Sequence, residues 1–264
     1  MDVDQHAIGA FSWPELATTD QQAGVAFYRS LFGWDLREAP MGPGEIYSLL
    51  TLRGREVAAA YTMRADERQM GVPPHWNAYI TVENVDVSAT RAAELGAKVL
   101  APPFDVMDAG RMAVLQDPTG AVFQIWQPKR SIGARILNES GALCWTELST
   151  RDTTKAAAFY AQFLGWKAKT GGEGVNAYTE FTAAAGSYPM AGMIDIAAFG
   201  PRGEHVPPNW MPYFQVADIN ASFEKAQSLG ATVGVPPTKI ADAGQFTVLA
   251  DPQGAMFSLF QPKA

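Results

Sequence analysis

Apolar and polar positions change period along the chain in a way that predicts alternating strands and helices. Short runs at 11–17 and 143–149 read as strands, and each is followed by a helical pattern. Phe27, Tyr28, Leu31 and Phe32 fall on one face of the first helix, as Phe159, Tyr160, Phe163 and Leu164 do on its counterpart. Asp20 and Asp152 stand where a helix N-cap is wanted, and Gly33 and Gly165 stand where a helix stops. Three strand-like pieces follow at 34–38, 47–52 and 56–61, divided by segments rich in Gly and Pro. The plan then begins again. A strand at 76–82 leads to a helix capped by Asp86 and ending at Leu95-Gly96, then to strands at 98–101, 111–116 and 121–127. Asp117-Pro118-Thr119-Gly120 places Pro second and Gly fourth, the chemistry of a tight hairpin turn.

The pattern repeats. Trp13-Pro14-Glu15-Leu16, Asp20, Ala26-Phe27-Tyr28 and Gly33-Trp34 return 132 positions later as Trp145-Thr146-Glu147-Leu148, Asp152, Ala158-Phe159-Tyr160 and Gly165-Trp166. Leu95-Gly96-Ala97, Asp108-Ala109-Gly110, Asp117-Pro118 and Gln127-Pro128-Lys129 return 134 positions later, ending with Asp251-Pro252 and Gln261-Pro262-Lys263. A unit of this size is a whole domain rather than a solenoid repeat. The expected organisation is a first domain at 7–130, a linker at 131–142 and a second domain at 143–264. Each is an α+β unit of two βαβββ modules, four in the chain. Two extra residues in the second copy are expected between Met190 and Trp210.

Composition narrows the partners. With 47% hydrophobic residues the 264-residue chain is ample for two packed cores. A net charge of -7 lacks the basic footprint of phosphate-backbone binding, so nucleic acid and membrane are not expected partners and a small molecule is. Cys144, the single cysteine, excludes an intrachain disulfide and a thiolate zinc site. Asp2 and Asp4 lead into no cationic segment with an apolar stretch behind it, so a cytoplasmic protein, monomer or homodimer, is expected.

A strand, a helix ending in Phe-Tyr-x-x-Leu-Phe-Gly-Trp, three strands, and a second module closing through Asp-Pro-x-Gly resemble the vicinal oxygen chelate superfamily. This is the glyoxalase, bleomycin-resistance and extradiol dioxygenase group. The Trp-x-Glu-Leu openings and Asp-Ala-Gly before the last hairpin resemble its tandem two-domain, actinobacterial type. The resemblance implies that paired modules curl their sheets around a cleft that takes the ligand. It also implies where metal-using members place ligands: Trp13, about Ala59, Asn77 and Gln124 in the first domain, and Trp145, about Gly192, Met211 and Ser258 in the second. These are poor donors for a divalent ion, so no cofactor is expected and a divalent metal is disfavoured.

Glu15 and Glu147 share a strand face with Trp13 and Trp145, the face expected to line the cleft. A carboxylate there suits a general base or a ligand anchor, and equally a buried acid kept for packing. His75 corresponds to Asn209 in the second copy, Pro73-Pro74-His75-Trp76 against Pro207-Pro208-Asn209-Trp210. If the module-opening strands meet with Trp13 opposite Asn77, Glu15 falls opposite His75 and the two form a proton-shuttling pair; otherwise His75 is a loop residue after Pro73-Pro74. Tyr79, Trp126, Tyr213 and Phe260 add an aromatic lining by parity, Asn77 and Gln124 add polar groups, and Arg111 is a cation at the mouth or a surface ion pair. His6 reads as terminal and inert.

The expected function is a glyoxalase-like protein binding a small, partly aromatic or carbonyl-bearing molecule in the first cleft without metal. Three alternatives stand beside it. One is a lyase, isomerase or cyclase using Glu15 and His75. Another is a metalloenzyme with ligands drawn from Glu15, His75 and Gln124. The last is a scaffold with both clefts filled by their own side chains.

Overall fold

The computed structural model describes residues 1–42, 44–240 and 242–263. The first half runs β1 (Phe11–Thr18), α1 (Gln21–Phe32), β2 (Asp35–Gly42), β3 (Glu45–Leu52) and β4 (Arg55–Thr62). A short α2 (Ala65–Gln69) leads to β5 (His75–Thr81), α3 (Val85–Glu94), β6 (Lys98–Val106), β7 (Gly110–Gln116) and β8 (Val122–Pro128). The second half repeats the series: β9 (Leu143–Thr150), α4 (Thr153–Leu164), β10 (Lys167–Gly171), β11 (Tyr178–Thr182), β12 (Ala191–Asp195), β13 (Asn209–Gln215), α5 (Ile219–Ser228), β14 (Thr232–Ile240), β15 (Gly244–Ala250) and β16 (Met256–Pro262). A 3-10 segment, Ile196–Gly203, stands where α2 stands in the first half.

Each half is one curled eight-stranded sheet, ordered β2-β3-β4-β1-β5-β8-β7-β6 and β10-β11-β12-β9-β13-β16-β15-β14. The four βαβββ modules of the α+β fold are therefore present, two to a sheet. Local chemistry starts and stops the helices as read from sequence, with one change. Asp20 accepts from the Ala23 amide at 3.0 Å and Asp152 from Lys155 at 2.9 Å, whereas α3 is capped by Asn84, which accepts from Val87 at 3.0 Å. Asp86 lies in the first turn instead.

The length difference between the copies is spread over three connections rather than confined to 190–210. Tyr47 matches Tyr178 at a displacement of 131, Ala59 matches Gly192 at 133 and Trp76 matches Trp210 at 134. All three changes fall in turns or loops, because an insertion within a paired strand would reverse every side chain beyond it.

The helix-bearing faces of the two sheets pack against each other, so the faces that carry Glu15 and Glu147 look away from the seam. The two larger cores are shared between the halves, and a smaller third one lies in the first half around Trp13, Tyr79 and Trp126. One core joins α1 and Leu16, Ala58 and Trp76 to Phe214, Ile219, Phe257 and Leu259 of the second half. The other joins Ile80, Ala89 and Phe123 to Phe159, Tyr160, Trp166 and Trp210. Two buried polar chains seal the seam. Trp76 Nε1 donates to the Tyr28 hydroxyl at 3.0 Å, which donates to Asp251 Oδ2 at 3.1 Å; Trp210 Nε1 donates to Tyr160 at 2.8 Å, which donates to Asp117 Oδ2 at 2.9 Å. The other oxygen of each aspartate accepts backbone amides of its own turn, from Thr119 and Gly120 and from Gln253 and Ala255. The Asp-Pro-x-Gly hairpin is thus also the socket for the opposite half's helix tyrosine. Trp34 Nε1 donates to the Gly141 carbonyl at 2.7 Å and Trp166 Nε1 to Gly9 at 2.8 Å, completing the exchange.

The linker is packed, not a loose tether. Ala134 and Ile136 are buried; the Ala134 amide donates to the Ser12 carbonyl at 2.7 Å and the Arg135 amide to Glu56 at 2.7 Å. His6, expected to be inert, is buried with Nε2 donating to the Ala134 carbonyl at 2.7 Å. No helix among the described residues is long and apolar enough to cross a membrane.

Two predictions follow from this seam. Tyr28→Phe and Tyr160→Phe each leave a buried carboxylate oxygen without its donor and are expected to cost about 1–3 kcal/mol of stability, read from urea unfolding midpoints. Expressed alone, segments 1–130 and 143–264 are expected not to fold as monomers and to regain cooperative unfolding when mixed. A folded monomeric half in sedimentation and calorimetry would refute the shared cores.

Candidate functional site

The first concave face is built on the contact between β1 and its neighbours. β1 runs parallel to β4 and antiparallel to β5, and the register sets Glu15 opposite both Ala59 and Asn77. Trp13 lies opposite Tyr79, and Ala17 opposite His75. The expected pairing of Trp13 with Asn77 and of Glu15 with His75 is therefore displaced by two residues. A slip of two leaves every side chain on its own face, so alternation in the sequence does not distinguish the two registers.

Glu15 is 8% exposed, and both of its oxygens accept hydrogen bonds. Its Oε1 accepts from the Tyr47 hydroxyl at 2.6 Å; its Oε2 accepts from the Tyr79 hydroxyl at 2.8 Å and from Asn77 Nδ2 at 3.1 Å. Trp13 Nε1 donates to the Tyr47 oxygen at 3.1 Å. Asn77 Oδ1 accepts from Gln124 Nε2 at 2.7 Å and faces His75 Nε2 at 3.1 Å. His75 opens β5 and is half-buried, so it is part of the strand and not a detached loop residue; it reaches Glu15 through Asn77. Its Nδ1 faces the Pro73 carbonyl at 2.9 Å. Both ring nitrogens thus face oxygen acceptors.

Burial raises the Glu15 carboxyl above the ordinary range, against the pull of the Tyr47, Tyr79 and Asn77 donors and of the His75 charge. The same burial, together with the neighbouring carboxylate, pushes the Tyr47 and Tyr79 hydroxyls well up, so both are donors at neutral pH.

Around this centre Trp13, Tyr79, Met112 and Trp126 form one apolar cluster with Ala59 and Ala134, with Tyr47, Leu49, Val114 and Leu137 partly exposed beside it. The Trp126 indole N–H is taken by the Ser131 carbonyl at 3.0 Å. Arg111 does not reach the cleft. It projects from the opposite face of β7 and holds Asp86 through two bonds of 2.8 and 2.9 Å, with Asp105 beside it at 3.4 Å. Parity separates it from its neighbour Met112.

The second concave face keeps the frame without its polar surround. Glu147 accepts from Tyr178 at 2.8 Å and Tyr213 at 2.9 Å, and Trp145 donates to Tyr178 at 3.0 Å. Burial raises its carboxyl as well. Opposite Glu147 stand Gly192 and Met211, and Ser258 spends its hydroxyl on the Thr247 carbonyl at 2.7 Å. A Cβ at position 192 would run into the Tyr178 hydroxyl, which is why glycine stands there. Tyr47 and Tyr178 were not singled out in the sequence. Their recurrence near the start of the third strand of each copy was the available signal.

The two-residue correction replaces Trp13 by Glu15, and Trp145 by Glu147, in the row where metal-using relatives carry ligands. The first row becomes Glu15, Ala59, Asn77 and Gln124; the second Glu147, Gly192, Met211 and Ser258. Each offers one carboxylate, already holding two or three donors, and no imidazole, and among the described residues no three His, Cys, Asp or Glu side chains converge. Neither row fits a divalent ion, which wants several charged or imidazole donors.

Residues 10–125 match the Glyoxalase/Bleomycin resistance protein/Dioxygenase superfamily and residues 145–260 match the Glyoxalase-like domain, so the chain belongs to the glyoxalase-like group of the vicinal oxygen chelate superfamily, in its tandem two-domain form. Its relatives include a putative glyoxylase, CFP32, of Mycobacterium tuberculosis, 40% identical over 259 residues that cover 96% of this chain and 95% of that one. The anthracycline biosynthesis protein DauV of a Streptomyces species is 32% identical, with 97% and 94% covered. Among solved structures, the Mn(II)-bound glyoxalase from Novosphingobium aromaticivorans superposes with a TM-score of 0.67 at 12% identity, covering 96% of this chain and 82% of that one. At that identity the likeness is one of fold.

The raised Glu15 carboxyl has a stability signature. A folded-state value above the unfolded one means that folding takes up a proton, so the contribution is full below the ordinary carboxylate range and is lost as pH rises through the folded value. Urea midpoints from pH 4 to 8 are expected to show wild type losing ground to Glu15→Gln as pH rises. A difference that is flat, or that grows in favour of wild type, would contradict the burial effect.

Proposed function

We propose that this protein binds a small, partly aromatic or carbonyl-bearing molecule in the first cleft, without metal, and that Glu15 is the group around which the ligand is oriented. The observation that carries the reading is the asymmetry of two otherwise matched clefts. Both hold a Trp–Tyr–Glu–Tyr unit, and only the first surrounds it with Asn77, Gln124 and His75. A site that orients a small molecule needs several converging polar groups on an apolar wall. The aromatic wall of Trp13, Tyr79 and Trp126 suits a flat ligand. The relative named for anthracycline biosynthesis accords with an aromatic one. A carboxyl raised by burial is a stronger base than an ordinary carboxylate, so a lyase or isomerase reaction at a carbonyl-bearing ligand is the chemistry this cleft favours if it turns its ligand over. A structural role is the second reading, favoured by the low exposure of Trp13, Glu15 and Tyr79 and by the recurrence of the unit in both halves.

Two measurements test the proposal. Elemental analysis after dialysis is expected to find well under one equivalent of zinc, nickel, manganese or iron per chain; close to one would overturn the metal-free reading. A thermal-shift screen of planar antibiotics, 2-oxoaldehydes and small aromatic ketones and phenols supplies the ligand, since binding to the folded state raises the melting temperature. Glu15→Gln is then expected to weaken binding about tenfold, the loss of one charged hydrogen-bonding partner, and Glu147→Gln to leave it within about twofold. Equal losses would defeat the asymmetric site, and unfolding of both variants would favour the structural role.

A further inference from the structure

The carboxylate of Glu15 fixes the orientation of every amide beyond it. It accepts from Tyr47 and Tyr79 and takes Asn77 Nδ2 as its third donor, so Asn77 must present Oδ1 on its other side. That oxygen faces Gln124 and His75. Gln124 must therefore offer Nε2, at 2.7 Å; turning its amide over would set two oxygens against each other at that distance. Gln124 Oε1 is what remains. The side chain is 3% exposed, it lies on the cleft face beside Asn77, and Oε1 has no hydrogen-bond partner among the described residues. Buried acceptors are seldom left in this state. The matching position in the second cleft, Ser258, donates its hydroxyl to the Thr247 carbonyl and so has a partner where Gln124 Oε1 has none.

Resting on the binding reading above, we infer that Gln124 Oε1 is the acceptor for a hydroxyl group on the ligand, so that the first cleft selects hydroxylated aromatic carbonyl compounds over their unhydroxylated parents. The wall and the acceptor divide the recognition. Trp13, Tyr79 and Trp126 take any flat ring of suitable size, and only a ligand with a donor satisfies Gln124. A site built to pair with a hydroxyl rejects the analogue lacking it, because the buried acceptor then stays unpaired. Asn77 and His75 act as positioning residues in this account: the one transmits the orientation set by Glu15, and the other faces the same Oδ1 from the mouth of the cleft.

The test uses the full chain with acetophenone, its 2-, 3- and 4-hydroxy isomers and the corresponding methoxy compounds, titrated against wild type and Gln124→Met, a replacement of similar length with no strong acceptor. Wild type is expected to bind the best hydroxy isomer about tenfold more tightly than acetophenone or its methoxy analogue, and Gln124→Met to lose that preference while holding acetophenone within about twofold. If wild type binds none of these compounds, the binding reading itself fails for aromatic ketones and this inference falls with it. If wild type binds acetophenone and its hydroxy isomers equally, the binding reading stands and the role of Gln124 is refuted. A hydroxyl preference that survives in Gln124→Met refutes it as well. Should that variant not fold, a crystal structure of wild type with the best isomer decides. The phenolic oxygen is expected at about 2.7 Å from Gln124 Oε1, and an ordered water occupying that position in both free and bound protein would overturn the assignment.

Discussion

The arrangement rests on one buried interaction made twice: a helix tyrosine of one half donating to the turn aspartate of the other. Tyr28 and Asp251, and Tyr160 and Asp117, lie in the buried seam between the sheets, where an unpaired carboxylate would be costly and a paired one is strongly directional. Each aspartate is held on one oxygen by the amides of its own hairpin, so the other oxygen points at the partner half from a fixed place. Trp76 and Trp210 complete the chains from the adjacent strands. The consequence is that β5 and β13, the strands that carry the cleft residues Asn77 and Tyr213 on their outer faces, are locked from behind by residues of both halves.

That locking explains how a carboxylate can sit in each concave face without disordering it. Glu15 and Glu147 emerge on strands whose inner faces are anchored in a shared core, and two tyrosine hydroxyls close on each. The frame is symmetric because the seam is symmetric. The polar surround is not, since residues 75, 77 and 124 and their counterparts touch nothing that the seam requires. His75, Asn77 and Gln124 therefore stand where the fold leaves freedom, against Asn209, Met211 and Ser258 in the other half.

Much of this was legible along the chain. The repeat, the helix faces, the Asp20 and Asp152 caps and the outward parity of Trp13, Glu15 and Tyr79 follow from local periodicity and from short-range chemistry. The Asp-Pro-x-Gly turn was legible as a turn, while its second role as a socket was not, because Tyr160 is 43 residues and Tyr28 is 223 residues away from the aspartate it meets. Arg111 and Met112 illustrate the same limit at close range: one step in sequence puts the guanidinium against Asp86 on the helix side and the thioether in the cleft.

The sequence by itself determined the modules, their order and the alternation of faces along each strand, because these depend on the two-residue and 3.6-residue periods and on residues within a few positions of one another. Only the tertiary structure decided the rest. It decided that Glu15 lies level with Asn77 rather than His75, because a slip of two residues preserves every face and costs the pattern nothing. It decided that Tyr47 belongs to the site, because the β3–β4 pairing sets Leu49 opposite Ala59 and leaves Tyr47, two residues away on the same face, within reach of Glu15. It decided that the halves share their two larger cores, because apolar faces on α1 and α4 specify that they be buried and do not specify against which sheet.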